Sequence, residues 1–250
     1  MRLVIYNMRY ATGSGVKFHL PVPFGGFFRK TGRNLDTLIR FFQAQNADVL
    51  GLVEIDSGSY RSGRRCQADT IASHLGQQPF CRPKYSRTSI WNRLPVMNKQ
   101  ANACLSSSPV ICERTHFLCK GVKRMVLELE LEDVSIFIVH LALRRRCREA
   151  QLADLARLVK KSKKPYLIAG DFNVFAGKVE LQDFMEDLQL ASANVEDAPT
   201  FPSRSPRRQL DFILHSPAIR VTHFEVATGI RLSDHLPLIC DFEVLPDRKS

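Results

Sequence analysis

A short apolar strand, Tyr166-Leu167-Ile168-Ala169, runs into Gly170 and then delivers Asp171 and Asn173, a carboxylate and an amide two residues apart. Side chains alternate faces along a strand, so the two can point the same way. An acid and a neutral oxygen donor at a strand end suit the holding of hard cations, phosphates and attacking waters. Asp and Asn after a glycine also make ordinary turns, so this pair alone leaves both readings open.

Further fragments repeat the pattern of an apolar run meeting a polar group. Leu3-Val4-Ile5-Tyr6 runs into Asn7, Val49-Leu50-Gly51-Leu52-Val53 into Glu54, and Ile136-Phe137-Ile138-Val139 into His140. Ser233-Asp234-His235 precedes the apolar Leu236-Pro237-Leu238-Ile239, and Asp211 sits inside the strand-like run from Gln209 to Leu214. Several polar groups at strand ends describe a site carried on a rigid scaffold. Taken singly, Asn7 reads equally as a turn residue, Glu54 as an exposed strand end, Asp211 as half of a structural ion pair and His140 as a satisfied core histidine. Taken together, they offer what phosphodiester hydrolysis needs: a cation, donors for the phosphate oxygens and a base for water. Oxygen ligands such as Glu54, Asn7, Asp171 and Asn173 suit Mg2+ or Mn2+ better than zinc, and no HExxH or paired CxxC motif is present. An imidazole backed by a carboxylate keeps one tautomer and becomes a better base, the relation expected of Asp211 and His235.

In this order and spacing the fragments, above all Gly170-Asp171-Phe172-Asn173 and Ser233-Asp234-His235, resemble the endonuclease/exonuclease/phosphatase superfamily of deoxyribonuclease I-like phosphoesterases, from Leu3 to about Phe242. The resemblance implies an α/β fold in one domain over residues 1–250, a four-layer α/β/β/α sandwich of two packed, mostly antiparallel sheets flanked by helices. It implies that Glu54, helped by Asn7, holds a Mg2+ or Mn2+ on the scissile phosphate, with Asp234 a second metal ligand. Asp171 would orient or activate the attacking water, with Asn173 beside it. His235, supported by Asp211, would be a base or phosphate contact. His140 matches a histidine that the deoxyribonuclease and sphingomyelinase branches place against the phosphate or leaving group; the abasic-site repair branch usually has tyrosine there. The stretch from Gly58 to Gly63 with Gln67, and that from Asn102 to Ser106, resemble a bacterial branch whose substrates are often unassigned.

Positioning these groups requires a recognisable set of elements. Asn34 is placed to cap a helix carrying Leu35, Leu38, Ile39 and Phe42 on one face, and a second helix carries Ile71, Ala72 and Leu75 before Gly76 ends it. Met125, Leu127, Leu129 and Leu131 alternate with Val126, Glu128, Glu130 and Glu132, which predicts a strand with one face in the core and the other mostly wet. Leu152, Leu155, Leu158 and Val159 mark a helix between the His140 and Asp171 strands. Pro199 to Arg208, rich in Pro, Ser and Arg, reads as a surface loop.

The net charge of +11, from 36 basic and 25 acidic residues, favours an anionic partner. Arg61, Arg64 and Arg65 follow Glu54; Arg144, Arg145, Arg146 and Arg148 follow His140; Arg204, Arg207 and Arg208 precede Asp211. Arg61, Arg65, Arg144 and Asn102 are the expected substrate contacts, while Lys160, Lys161, Lys163 and Lys164 fall at the far end of the Asp171 strand, roughly 17 Å away for five residues. Nucleic acid is the leading substrate class. The alternative is a phospholipid or inositol-phosphate headgroup at an anionic membrane surface, suggested by the apolar loop Leu20 to Lys30 with Phe24, Phe27 and Phe28. A binding protein that keeps the fold without the chemistry would lack part of the polar set, and none is missing. With 250 residues and 44% apolar content the chain can bury a large core. No run of eighteen apolar residues predicts a membrane span. A strand starting at Leu3 leaves no room for a signal peptide, and seven cysteines without close spacing suit a reducing, cytoplasmic setting.

Overall fold

The computed structural model describes residues 1–13, 30–84, 96–121 and 123–246. Leu20 to Arg29, with the three phenylalanines of the apolar loop, lie outside the described residues. Two parallel strand pairs organise the rest. β1 (Arg2–Asn7) leads through helix α1 (Gly32–Gln45) to β2 (Val49–Asp56), which runs parallel beside it with Asn7 opposite Val53. Likewise β7 (Ser135–His140) leads through α3 (Arg145–Val159) to β8 (Tyr166–Asp171), with His140 opposite Asp171. A parallel pair needs such a crossover, and its two strands then end on the same side of the sheet.

Antiparallel strands extend both pairs. After β2 come α2 (Gln67–Leu75), β3 (Gln78–Pro83) and β4 (Gln100–Ser106). Before β7 come β5 (Cys112–Phe117) and β6 (Met125–Glu130). After β8 follow α4 (Gln182–Asp187), β9 (Ala191–Ser192), β10 (Asp211–His215), β11 (Ile219–Val226) and β12 (Leu238–Val244). One sheet has the order β11-β12-β1-β2-β4-β3 and the other β5-β6-β7-β8-β10-β9. Each is antiparallel except at its single parallel pair.

The period-two alternation of the strands sorts side chains into layers. In β1, Leu3 and Ile5 enter the core between the sheets, where Leu127, Ile136, Ile138 and Ala169 meet them, while Val4 and Tyr6 pack under α1 and α2. In β7, Ile136 and Ile138 face the other sheet and Phe137 and Val139 face α3. Helix, sheet, sheet and helix therefore stack as four layers, the α/β sandwich expected. Each fully buried Leu or Ile in the central layer stabilises the fold by about 1.5–3 kcal/mol.

Several expectations need correction. α1 begins at Gly32 after Thr31, and Asn34 lies in its first turn with its amide donating to the Ala11 carbonyl at 2.9 Å rather than capping the helix. The second face of β6 is covered rather than wet: Val126 packs into the α3 layer, and Glu128 is buried against Arg114 and His116. The segment from Pro199 to Arg208 is only partly a surface loop, since Thr200 and Ser203 are fully buried. α2 ends at Gly76 in the left-handed conformation, as expected.

Gly170 is required by the backbone itself. Its φ of 138° is foreign to residues with a side chain, and a Cβ there would come 2.0 Å from the Val139 carbonyl oxygen on β7. Gly170→Ala is therefore expected to lower unfolding stability by about 3 kcal/mol or more, read as a shift in urea midpoint at unchanged slope.

Candidate active site

The sheets pack so that both parallel pairs end together, and their terminal polar residues meet. Asn7 ends β1, His140 ends β7, Asp171 ends β8, and Asp211 opens β10 directly opposite Asp171. Glu54 is not at a strand end but inside β2, at a bulge where the pairing with β4 slips between Leu52 and Ile55. Its φ of 56° is left-handed, and Asn102 on β4 accepts its backbone N–H at 3.2 Å. A bulge re-aims one side chain without ending the strand, which is how Glu54 turns toward the second sheet.

The charged groups form a continuous line. Glu54 Oε1 lies 3.4 Å from Lys123 Nζ, 3.9 Å from Lys84 Nζ and 3.7 Å from His140 Nε2. His140 Nε2 is 3.3 Å from Asp171 Oδ2, which accepts a 3.0 Å hydrogen bond from Asn7 Nδ2. His235 Nε2 comes next, 3.9 Å from the same oxygen, and its Nδ1 sits 2.8 Å from Asp211 Oδ2. Thr200 Oγ1 donates to that Asp211 oxygen at 2.6 Å, and the Phe201 ring stacks tilted on His235, 5.0 Å between centroids. The buried half of the Pro199 loop is thus the seat of the histidine.

Burial and neighbouring charge set the protonation of each member. Burial would raise the Glu54 carboxyl, but Lys123, Lys84 and His235 outweigh it and bring it down to about 2. Burial pushes Lys84 down to about 8 against the attraction of Glu54. Asp171 is raised to about 6 by burial and the negative charge of Asp211, partly offset by His235. Burial acts to lower His235, yet Asp211 and Asp171 overcome it and raise it to about 10. His140 is held well below its usual value by burial and by the nearby cations Lys123, Lys84 and His235, so it is neutral at pH 7. Lys84 Nζ approaches its Nδ1 at 3.4 Å; an ammonium can only donate, so Nδ1 accepts and the proton resides on Nε2. That buried Nε2–H has no aligned hydrogen-bond partner among the described residues.

The donor set suits a hard cation. Glu54 is ionised, and its carboxylate has no hydrogen bond shorter than 3.4 Å among the described residues, while Asn7 and Asp171 supply further oxygens. Asp171, Asp211 and His235 also converge within 4.8 Å, but Asp211 and His235 are already bonded to each other. Asp234 stands at the edge, paired with Arg9 at 3.3 Å.

The expected substrate contacts divide between structural positions and the site itself. Arg61 is buried on Asp56, with Nε and Nη2 each 3.0 Å from Oδ2, and its guanidinium lies 4.6 Å over the Tyr10 ring, so it braces the loop after β2. Arg65 borders a separate surface hollow with Arg33 and Lys30. Arg148 is buried and ion-paired to Glu180 while holding the Ala142 and Leu143 carbonyls. Asn102 is buried behind Glu54, and Asn173 sends its amide to the Leu141 carbonyl at 2.9 Å, tying β8 to the exit of β7. Arg144 is exposed beside the site. Nothing in the local sequence around Lys84, Lys123 or Thr200 distinguishes them from surface polar residues.

Asp211 and His235 yield a pH prediction. A histidine whose pKa rises on folding contributes stability that is full below its ordinary 6.5 and lost as pH climbs through about 10. Asp211→Asn should therefore destabilise the protein more at pH 6 than at pH 10; equal gaps in urea unfolding at both would contradict the coupling.

A family model described as the Endonuclease/Exonuclease/phosphatase family matches residues 7–235. The uncharacterized protein YbhP of Escherichia coli K12 is 32% identical over 129 residues, 48% of this chain and 51% of that protein, so the match spans about half the length of that relative. The endonuclease/exonuclease/phosphatase from Beutenbergia cavernae is similar at TM-score 0.75 and 17% identity, over 100% of this chain and 73% of that one. The human Nocturnin catalytic domain with bound sulfate anion is similar at TM-score 0.69 and 21% identity, over 98% and 94%.

Proposed function

Because the chain belongs to the endonuclease/exonuclease/phosphatase family, we propose that it hydrolyses a phosphodiester by direct attack of water, with Mg2+ or Mn2+ as cofactor and nucleic acid as the leading substrate class. The observation that carries this reading is the line Glu54, His140, Asp171, His235 and Asp211, each within 4 Å of the next. Glu54, with Asn7, would hold the cation, which supplies positive charge to the phosphate oxygens. The residues of the chain do the rest.

Asp171 is the general base. Its pKa near 6 lies close to working pH, where a base is most effective, and Asn7 and Asn173 lock its carboxylate in place. It accepts a proton from water as the new oxygen–phosphorus bond forms. His235, kept protonated by Asp211, is a donor to the phosphate oxygens rather than a base. The neutral His140 offers its unpaired Nε2–H to the same phosphate. As the bond from phosphorus to the leaving oxygen breaks, Lys84, an acid with a pKa near 8, can return a proton to it. The net charge of +11 and the exposed Arg144 at the rim support an anionic polymer as substrate.

Glu54→Gln keeps the side chain's shape and removes its charge, so calorimetry with Mn2+ should show affinity weakened at least about tenfold, a coupling of about 1.4 kcal/mol, in a protein that remains folded. Unchanged affinity would remove Glu54 from the metal site. Asp171→Asn and His235→Ala should each lower turnover of bis(p-nitrophenyl) phosphate by about a hundredfold or more. Wild-type turnover in either variant would overturn the assignment. Assays on DNA, RNA, phospholipids and inositol phosphates with each metal identify the substrate class, and cleavage of phospholipid alone would replace the nucleic-acid reading.

A further inference from the structure

A cavity of about 520 Å3 opens directly beside Glu54, Lys84 and Lys123. Its remaining walls are Tyr10, Gln100, Gly121, Ala142, Leu143 and Cys147, with Arg144 at the rim. It sits at one end of the charged line; His235 and Asp211 occupy the other. In an in-line displacement the attacking and leaving oxygens lie on opposite sides of phosphorus. If Asp171 and His235 mark the water side, the leaving oxygen faces Lys84 and Lys123, and whatever is attached to it points into the cavity.

The walls are held in place before any ligand arrives. Gln151, fully buried on α3, accepts the Ala142 N–H at 2.8 Å and donates through its amide to the Lys120 and Lys123 carbonyls, each at 2.6 Å. One side chain thereby fixes the loop that carries Lys123, the exit of β7 and the first turns of α3 against one another. Pre-organisation of this kind lowers the ordering penalty of binding. Small-molecule sites typically enclose about 300–1,000 Å3 behind apolar walls with a few polar groups. This cavity matches that description: Gly121, Ala142, Leu143 and Cys147 supply apolar wall, and Glu54, Lys84 and Lys123 bring charge from the catalytic line. Its volume is in the range of a site for one small organic group.

We infer that this cavity receives the leaving group of the phosphoester, and that the group is a single ring-bearing unit such as one nucleoside. The inference rests on the hydrolytic reading above for the direction of displacement. It narrows the substrate from a polymer cut at interior positions to a terminal nucleotide unit or a small nucleotide diester. Gln151 is a positioning residue for Lys123, and Cys147 is the cavity residue best suited to report occupancy.

Two measurements test this. In wild-type protein, the rate of Cys147 alkylation by iodoacetamide, followed by peptide mass spectrometry, should fall at least fivefold with saturating adenosine 5′-monophosphate and remain unchanged with inorganic phosphate at the same concentration. Equal rates with and without the nucleotide overturn the proposal, and so does equal protection by phosphate, which would place the ligand on the lysines alone. In the second, Cys147→Trp fills the cavity and should reduce kcat/KM for bis(p-nitrophenyl) phosphate at least tenfold through KM. A folded Cys147→Trp with wild-type kcat/KM overturns the proposal. Absence of diester hydrolysis in the wild type would instead count against the hydrolytic reading, and the alkylation result, which needs no turnover, still decides the cavity.

Discussion

The packing of one sheet on the other is the constraint from which the rest follows. Each sheet contains one parallel pair, and the two pairs face each other so that their carboxyl ends open on the same side. Gly51 of β2 marks a close approach: a Cβ there would lie 2.6 Å from the Cδ1 atoms of both Ile138, on the opposite sheet, and Ile5, beside it. Interiors are close-packed, so a side chain at this point would drive the sheets apart or displace both isoleucines. Glu54 belongs to one sheet and His140 and Asp171 to the other, so the distances among them depend on how the sheets pack.

Bringing so many ionisable groups together in a buried place is unfavourable unless each is compensated. The site does this by alternation: lysines, Glu54, neutral His140, Asp171, protonated His235 and Asp211 succeed one another, with Asn7, Asn173 and Thr200 filling the remaining hydrogen-bonding positions. The alternation also gives two carboxylates opposite environments. Glu54, among cations, stays ionised far below neutrality; Asp171, more deeply buried and near Asp211, is pushed toward it. Environments that drive like groups apart in pKa suit the proposed division of labour between charge and base.

The basic residues divide along similar lines. Arg61 and Arg148 are internal struts, each spent on a buried carboxylate and nearby backbone, whereas Lys84 and Lys123 carry the charge that reaches the site. Lys160 and Lys164, at the far end of β8, are tied to Asp187 and Glu130. A sum of +11 therefore says little about where the field is felt.

Some of this was legible in the sequence. The apolar runs ending in Asn7, His140 and Asp171 are real strand ends, the helix faces of Leu38 and Leu155 are buried, and the family the fragments resemble is the one the chain belongs to, because period and local chemistry are properties of contiguous residues. Other features depend on partners distant in the chain. At the bulge that turns Glu54, Asn102 on a neighbouring strand accepts its N–H, and Glu128 is buried against Arg114 and His116 of β5. Whether an arginine meets an internal acid or the solvent is likewise decided by what the fold brings opposite it: Asp56 lies five residues before Arg61, Glu180 thirty-two after Arg148. Residue type and spacing determined which chemistry the chain could assemble; only the contact between the two sheets, a long-range packing event, decided which side chains share the site and which cations face it.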